Sequence, residues 1–348
     1  MPVENNVSVK NTVRILVTGA SGLLGLNLAL SAAGRTSAAE PAGAHEVFGV
    51  THHHPLHNAP FHVLQADLLE HGTLERLLDT VQPDCVIHCA ALTNLDDCEA
   101  DPDLAHRLNA ELPGRLAALV AKGGARAKPI QLVHISTDAV FDGTRGNYGE
   151  EDAPSPLGVY ARTKLAGERA VAAANPQAII ARVNLYGWSL MGRRSLAEFF
   201  FNNLSAGKRV MGFTDVFFCP LLANDLAGIL VSMLEEQLSG LYHVVSREAT
   251  SKYNFGVAVA RRFGLDEGLI TPTPVAASGL QAPRSPNLTL RTDKLAAALG
   301  RRGDQYHPDS ALLPSWQEGL ERFFELYRSG YPQMLKQLAV FHTGAVEN

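Results

Sequence analysis

The chain is poor in cysteine, in tryptophan and in clustered positive charge, and each scarcity excludes something. Four cysteines in 348 residues (Cys85, Cys89, Cys98, Cys219) are too few for a disulfide scaffold, so a reducing cytoplasm is the expected setting. Cys85, His88 and Cys89 fall in the run DCVIHCA, which as a strand would point His88 opposite to Cys89; buried thiols are expected there and no metal site. The 30 Lys and Arg against 35 Asp and Glu leave a formal charge of −5, without the basic stripe that nucleic acid or an anionic membrane surface requires. Neither partner is expected, and a small molecule is the better default. No internal repeat or low-complexity tract is visible.

Charge is also absent from Ile15 to Gly34, a stretch that a hydropathy scan would take for a signal peptide or membrane anchor. Four glycines (Gly19, Gly22, Gly25, Gly34) and the polar cluster TGASG interrupt it, so it reads as a buried strand, a turn and a buried helix. Residues 1–11 read as a frayed terminus.

What is present is alternation. Short β-branched runs, at VRILVT, EVFGV, FHVLQA, DCVIHCA, IQLVHIS and AIIARV, alternate with helical patterns over Leu23–Ala33, Thr73–Val81, Leu104–Ala121 and Tyr160–Ala174. Helices of that length cross from one parallel strand to the next, which predicts an α/β fold: a Rossmann-type, doubly wound parallel sheet with a smaller C-terminal substrate-binding lobe. Residues 12–185 are assigned to a nucleotide-binding domain carrying the catalytic residues. Residues 186–348 are assigned mainly to the lobe, with GLYHVV placed there, chain crossings back to the sheet allowed, and a terminal helix around Ser315–Arg328.

In such sheets ligands bind beyond the carboxyl ends of the strands. After the first strand comes TGASGLLG, in which Gly19 permits a tight turn, Gly22 close approach of a pyrophosphate, and Gly25 close packing of helix on strand. Gly19, Ser21, Gly22, Leu23, Leu24 and Gly25 are therefore candidate dinucleotide contacts, the strand-turn-helix context separating them from an ordinary glycine turn. Gly49 to Asn58 holds no acid for a ribose hydroxyl, whereas His52 and His53 offer donors to a 2′-phosphate. NADPH is preferred over NADH on that ground. Asp67 and Leu68 are placed to border the adenine, and Ala90 and Ala91 the ribose.

The fifth strand delivers Ser136, Thr137 and Asp138 to the same edge, and the following helix puts Tyr160 and Lys164 four residues apart on one face. A carbonyl reduced by hydride needs a proton, and a phenol of pKa about 10 is a poor donor near neutrality. An ammonium about 4 Å away, at an effective dielectric of about 20, favours the phenolate by roughly 4 kcal/mol before burial opposes it. Tyr160 is thus the candidate acid and Lys164 its modulator and ribose anchor. Thr137 is the candidate hydrogen-bond partner of the substrate oxygen.

These motifs, with SPLGVYARTKLAGE, STDAVFDG, NDLA at 224–227 and PRSPNLTLRTDKL at 283–295, resemble the extended short-chain dehydrogenase/reductases, most closely the dTDP-4-dehydrorhamnose reductases. That resemblance implies reduction of a nucleotide-linked 4-keto-6-deoxy sugar, with Thr137, Tyr160 and Lys164 catalytic, Ser136 near the cofactor and Asn109 ordering the active-site helix. By the same resemblance Asp138, Ala139, Asn184, Phe217 and Arg284 are candidate substrate contacts; Arg284 and Arg291 suit a diphosphate. Two alternatives stay open: an epimerase or dehydratase of the superfamily, and a non-catalytic subunit like the regulatory subunit of methionine adenosyltransferase. Departures fall on the sugar side, where Ala139 replaces a usual tyrosine and DVFFCPLL is unusually apolar. A homodimer is the default assembly.

Overall fold

In β1 (Arg14–Thr18) Ile15 and Val17 face one side of a sheet and Leu16 the other, and all three are buried, so both faces of this strand are covered. The same holds for β4 (Cys85–His88), where Cys85 and Ile87 enter one core and Val86 the opposite one. Strands buried on both faces with helical crossovers make a parallel sheet. The computed structural model describes residues 13–34, 45–123, 129–277, 285–302, 305–306 and 313–339. Besides β1 and β4, the sheet contains β2 (Glu46–Thr51), β3 (His62–Gln65), β5 (Gln131–Thr137), β6 (Ile179–Val183) and β7 (Gly240–Val244). All pairings are parallel, in the order β7-β6-β5-β4-β1-β2-β3. The order reverses beside β1, and a crevice at such a reversal is where dinucleotides bind.

One helical layer holds α1 (Leu23–Ala32), against a helix at Ala223–Glu235; the other holds α2 (Thr73–Val81), α3 (Leu112–Ala121) and α4 (Val159–Ala174). α1 is buried almost all round because Leu24 and Leu28 pack on the sheet while Leu26 and Leu30 enter a second core. That double burial, worth roughly 1.5–3 kcal/mol per leucine, explains a charge-free segment without any membrane. Among the described residues no helix is long and apolar enough to cross one.

The second core is aromatic: Trp188 stacks on Phe323 at 4.1 Å, and Phe255 meets Tyr186 edge-on at 5.0 Å. It joins helices at Leu196–Ser205, Lys252–Phe263 and Trp316–Arg328, the last opened by a capping box of Ser315 and Glu318. GLYHVV differs from its expected place in the lobe, because Gly240–Val244 returns to the main sheet and covers the open edge of β6. The predicted helix Leu104–Ala121 also differs. It is a short helix at Pro102–His106, a π turn at Arg107–Glu111, and α3. Pro113 has no N–H to offer the carbonyl of Asn109, and the freed carbonyl faces Gly167 of α4, where a Cβ would lie 2.1 Å from it.

Candidate active site

At the end of β1, Gly19 adopts φ +68°, and a Cβ there would lie 2.8 Å from the backbone nitrogen of Ala90. Gly22 N–H donates to the Gly19 carbonyl at 2.9 Å, closing the turn, and a Cβ on Gly25 would stand 2.3 Å from that same carbonyl. Gly19 and Gly25 are thus required by space. α1 starts directly after Gly22 without a side-chain cap, so its first N–H groups remain for an anion, with Ser21 and Leu23 half-buried and Leu24 buried beside them. Thr18 ties β1 to β4 by bonding His88 Nδ1 at 2.8 Å and accepting Ala90 N–H at 3.2 Å, which brings Ala90 and Ala91 beside the turn.

His52 and His53 are exposed, their rings in contact at 3.6 Å between centroids and tilted by 37°. Asp67 reaches them from beyond β3, its carboxylate 4.0 Å from His52 Nε2, while Leu68 is buried underneath. An acid therefore does border this corner, contributed by a neighbouring strand.

At the other end of the crevice β5 and α4 converge. Lys164 is buried and donates from Nζ to the Ile135 carbonyl at 2.7 Å; burial lowers its pKa to about 8 against the opposing pull of Glu168 and Cys89. Tyr160 is half-buried with its hydroxyl hydrogen-bonded to Thr137, and burial raises its pKa to about 12, with Asp138 and Cys98 adding to the rise. The expected lowering of the phenol by Lys164 is thus not how the chain alone behaves. Desolvation outweighs attraction, and the ammonium is engaged by a carbonyl.

Thr137 donates to Asp138 Oδ1 at 3.1 Å and accepts Ala139 N–H at 3.1 Å, and Asn184 donates to Asp138 Oδ2 at 2.6 Å. Burial pushes Asp138 up to about 6, opposed by Asn184, Thr137, the Lys252 ammonium and the Ala139 N–H. Asp138, Ala139 and Asn184 therefore gather around Thr137. Phe217 is exposed on a short strand beside buried Phe218, its N–H donating to the Pro286 carbonyl. Arg284 lies outside the described residues; Arg291 is exposed and pairs through its backbone with Tyr148.

Comparison with known proteins matches residues 13–328 to the family described as RmlD substrate binding domain. The chain belongs to the RmlD substrate-binding domain family. It is 35% identical over 305 residues, 85% of this chain and 96% of the relative, to the probable low-salt glycan biosynthesis reductase Agl14 of Haloferax volcanii. It is 32% identical to a dTDP-4-dehydrorhamnose reductase of Mycobacterium tuberculosis, over 82% of this chain and 87% of that one. It is also 32% identical to methionine adenosyltransferase 2 subunit beta of Pongo abelii, over 82% and 83%. Among solved structures, a dTDP-4-dehydrorhamnose reductase from Clostridium acetobutylicum superposes with a TM-score of 0.72 at 26% identity, covering 90% of this chain and 99% of that one. One from Bacillus anthracis, solved with NADP, shares the fold with a TM-score of 0.71 at 24% identity over 90% and 99%.

In this RmlD-family chain several residues that hold the site were not singled out by sequence reasoning. Ser136, expected at the cofactor, donates its hydroxyl to Glu168 at 2.5 Å, and Glu168 takes a bidentate pair from Arg182 at 2.9 and 2.8 Å, all buried. The pair clamps α4 to β5 and β6 one turn below Lys164. Its only sequence signal is the glutamate of KLAGE, four residues after the lysine and hence on its face. Asn109, by contrast, does what the resemblance implied. Its amide accepts from Leu92 N–H at 2.9 Å, donates to Leu92 O at 2.9 Å and reaches Thr163 of α4 at 3.2 Å.

Proposed function

We propose that the chain is an NADPH-preferring reductase of a nucleotide-linked 4-keto-6-deoxy sugar. The observation that carries this reading is the meeting of Thr137, Tyr160 and Lys164 on the sheet edge that also bears the Gly19–Gly25 cradle. The cradle, where added Cβ atoms would strike backbone, fits a pyrophosphate, with Ala90 and Ala91 beside the ribose and Asp67 and Leu68 beside the adenine. His52 and His53 favour a 2′-phosphate, and Asp67 close by leaves NADH as the second cofactor. When bound, the nicotinamide supplies the hydride.

This chain's residues do the rest. Tyr160, hydrogen-bonded to Thr137, gives its proton to the carbonyl oxygen as negative charge develops there. Lys164, already near neutrality in pKa and held by the Ile135 carbonyl, is positioned to release that bond, grip the ribose and stabilise the phenolate. Asp138, Ala139, Asn184 and Phe217 border the sugar, with Arg284 assigned to the diphosphate. All four cysteines are free and fit a cytoplasmic enzyme, which we take to act as a homodimer.

A second reading is favoured by the kinship with a methionine adenosyltransferase subunit: cofactor binding without turnover, in the service of a protein partner. Titration with NADPH and NADH, then absorbance at the nicotinamide band on adding a dTDP-4-keto-6-deoxyhexose, separates the two. The reductase consumes NADPH, and Tyr160→Phe binds it but turns over at least about a hundredfold more slowly. A protein that binds NADPH and consumes none with any such sugar refutes the reductase reading; one whose Tyr160→Phe variant loses nothing removes the tyrosine from it.

A further inference from the structure

A hydroxyl group has one proton and two lone pairs, and around Thr137 every one of them is assigned. One lone pair accepts the Ala139 N–H, the proton goes to Asp138 Oδ1, and the remaining lone pair faces the Tyr160 phenol. In this arrangement neither hydroxyl is aimed at a substrate oxygen, because Tyr160 donates to Thr137 and Thr137 donates to the carboxylate. The far oxygen of Asp138 is pinned by Asn184 at 2.6 Å, so the carboxyl group keeps its near oxygen on Thr137 in either protonation state.

We propose that Asp138 gates the proton supply of this site: as a carboxylate it captures the only hydroxyl proton of Thr137, and as a carboxylic acid it returns the hydrogen bond and frees that proton for Tyr160. The chain of bonds then runs in the opposite direction. Asp138 donates to Thr137, Thr137 donates to the Tyr160 oxygen, and the phenol proton points at the substrate. When Tyr160 protonates the alkoxide, its proton is replaced from Thr137 and that of Thr137 from Asp138, which finishes as a carboxylate and regains a proton from water. The inference rests on the reductase reading for its catalytic meaning and on the hydrogen bonds alone for its existence.

The groups facing Asp138 decide where the gate sits. Burial raises it to about 6; Asn184 after β6, Thr137, the Ala139 N–H and Lys252 at the start of the Lys252–Phe263 helix lower it. Tyr160 from α4 and the Cys219 thiol, whose own pKa values the Asp138 charge raises, complete the surroundings. With a midpoint of about 6, the reductive rate falls towards about tenfold per pH unit well above it, or roughly fiftyfold between about pH 6 and about pH 8.

The test joins two measurements. Carbon NMR of the ligand-free protein follows the Asp138 carboxyl and the Tyr160 ring carbon bearing the hydroxyl through the acid range, and steady-state NADPH oxidation with a dTDP-4-keto-6-deoxyhexose gives the pH profile. The expected result is one shared midpoint for the carboxyl, the tyrosine resonance and the falling limb of kcat/KM. Asp138→Asn, whose amide must donate to Thr137 while Asn184 holds its carbonyl, abolishes the tyrosine step and flattens the limb, whatever its absolute rate. Lys252→Met moves the midpoint upward, and it decides the matter if the Asn variant does not fold. A carboxyl that titrates in the ordinary range, a tyrosine resonance indifferent to it, or a limb that survives Asp138→Asn overturns the gate. If no keto sugar is reduced at any pH, the reductase reading fails, and the two NMR titrations still accept or reject the gate.

Discussion

Glu168 and Arg182 form a bidentate pair at 2.9 and 2.8 Å, with side chains 6% and 3% exposed, and they offer the sharpest stability experiment. Replacing Glu168 by Gln keeps the shape but leaves the Arg182 charge buried without an anion, and it removes the negative group that holds up the pKa of Lys164 one turn away. Ser136 keeps an acceptor, so the lost quantity is the charge pair itself. Breaking a buried pair from one side costs about 3–5 kcal/mol, which in a chain of this size lowers the melting temperature by roughly 4–7 °C. Removing both charges with Glu168→Leu and Arg182→Met takes away the desolvation penalty along with the attraction, so the double variant should melt above either single one. Thermal unfolding of the four variants, Glu168→Gln, Glu168→Leu, Arg182→Met and the double, at neutral pH reads this directly. A Glu168→Gln protein melting within about 2 °C of the parent, or a double variant whose loss equals the sum of the singles, refutes the claim that this pair clamps α4 to β5 and β6.

Two further outcomes follow from the same geometry. Gly25→Ala places a methyl group 2.3 Å from the Gly19 carbonyl, and reopening the turn at about 1–3 kcal/mol should weaken NADPH roughly five- to 150-fold in a fluorescence titration; unchanged affinity would remove the turn from the cofactor site. His88 is held at about 3, and His134 well below 6.5, by burial and by the Lys164 charge. Because their folded pKa values lie below the unfolded one, their contribution is complete above pH 6.5 and is lost as pH falls towards 3, at about 1.4 kcal/mol per pH unit for His88 alone. Asp138 acts in the opposite sense, since its raised pKa stabilises the fold below 3.8 and loses that stabilisation as pH rises through about 6. Denaturant melts at about pH 7 and about pH 4.5 should therefore show a net acid loss that becomes shallower in His134→Leu, and an unchanged slope in that variant would contradict the assignment.

Much of the architecture and the shared sheet edge of Thr137, Tyr160 and Lys164 was legible along the chain, because periodicity and spacing are properties of neighbouring residues. Six strands, α2 at Thr73–Val81 and the shared face of Tyr160 and Lys164 follow from alternation, helical pitch and the glycine turn, none of which depends on distant partners. What only the tertiary structure decided concerns groups far apart in sequence. Gly240–Val244 becomes the seventh strand because β6 presents an unpaired edge, which no local pattern announces. The π turn at Arg107–Glu111 needs both Pro113 in its own helix and Gly167 in another. Asp67 meets His52 across two strand ends, Ser136 turns to Glu168 and Arg182, and Lys164 takes the Ile135 carbonyl. The sequence by itself determined on which edge of the sheet Thr137, Tyr160 and Lys164 emerge. Burial and hydrogen-bond partners, which exist only once the strands and helices are packed, decided the protonation behaviour of Tyr160, Lys164 and Asp138.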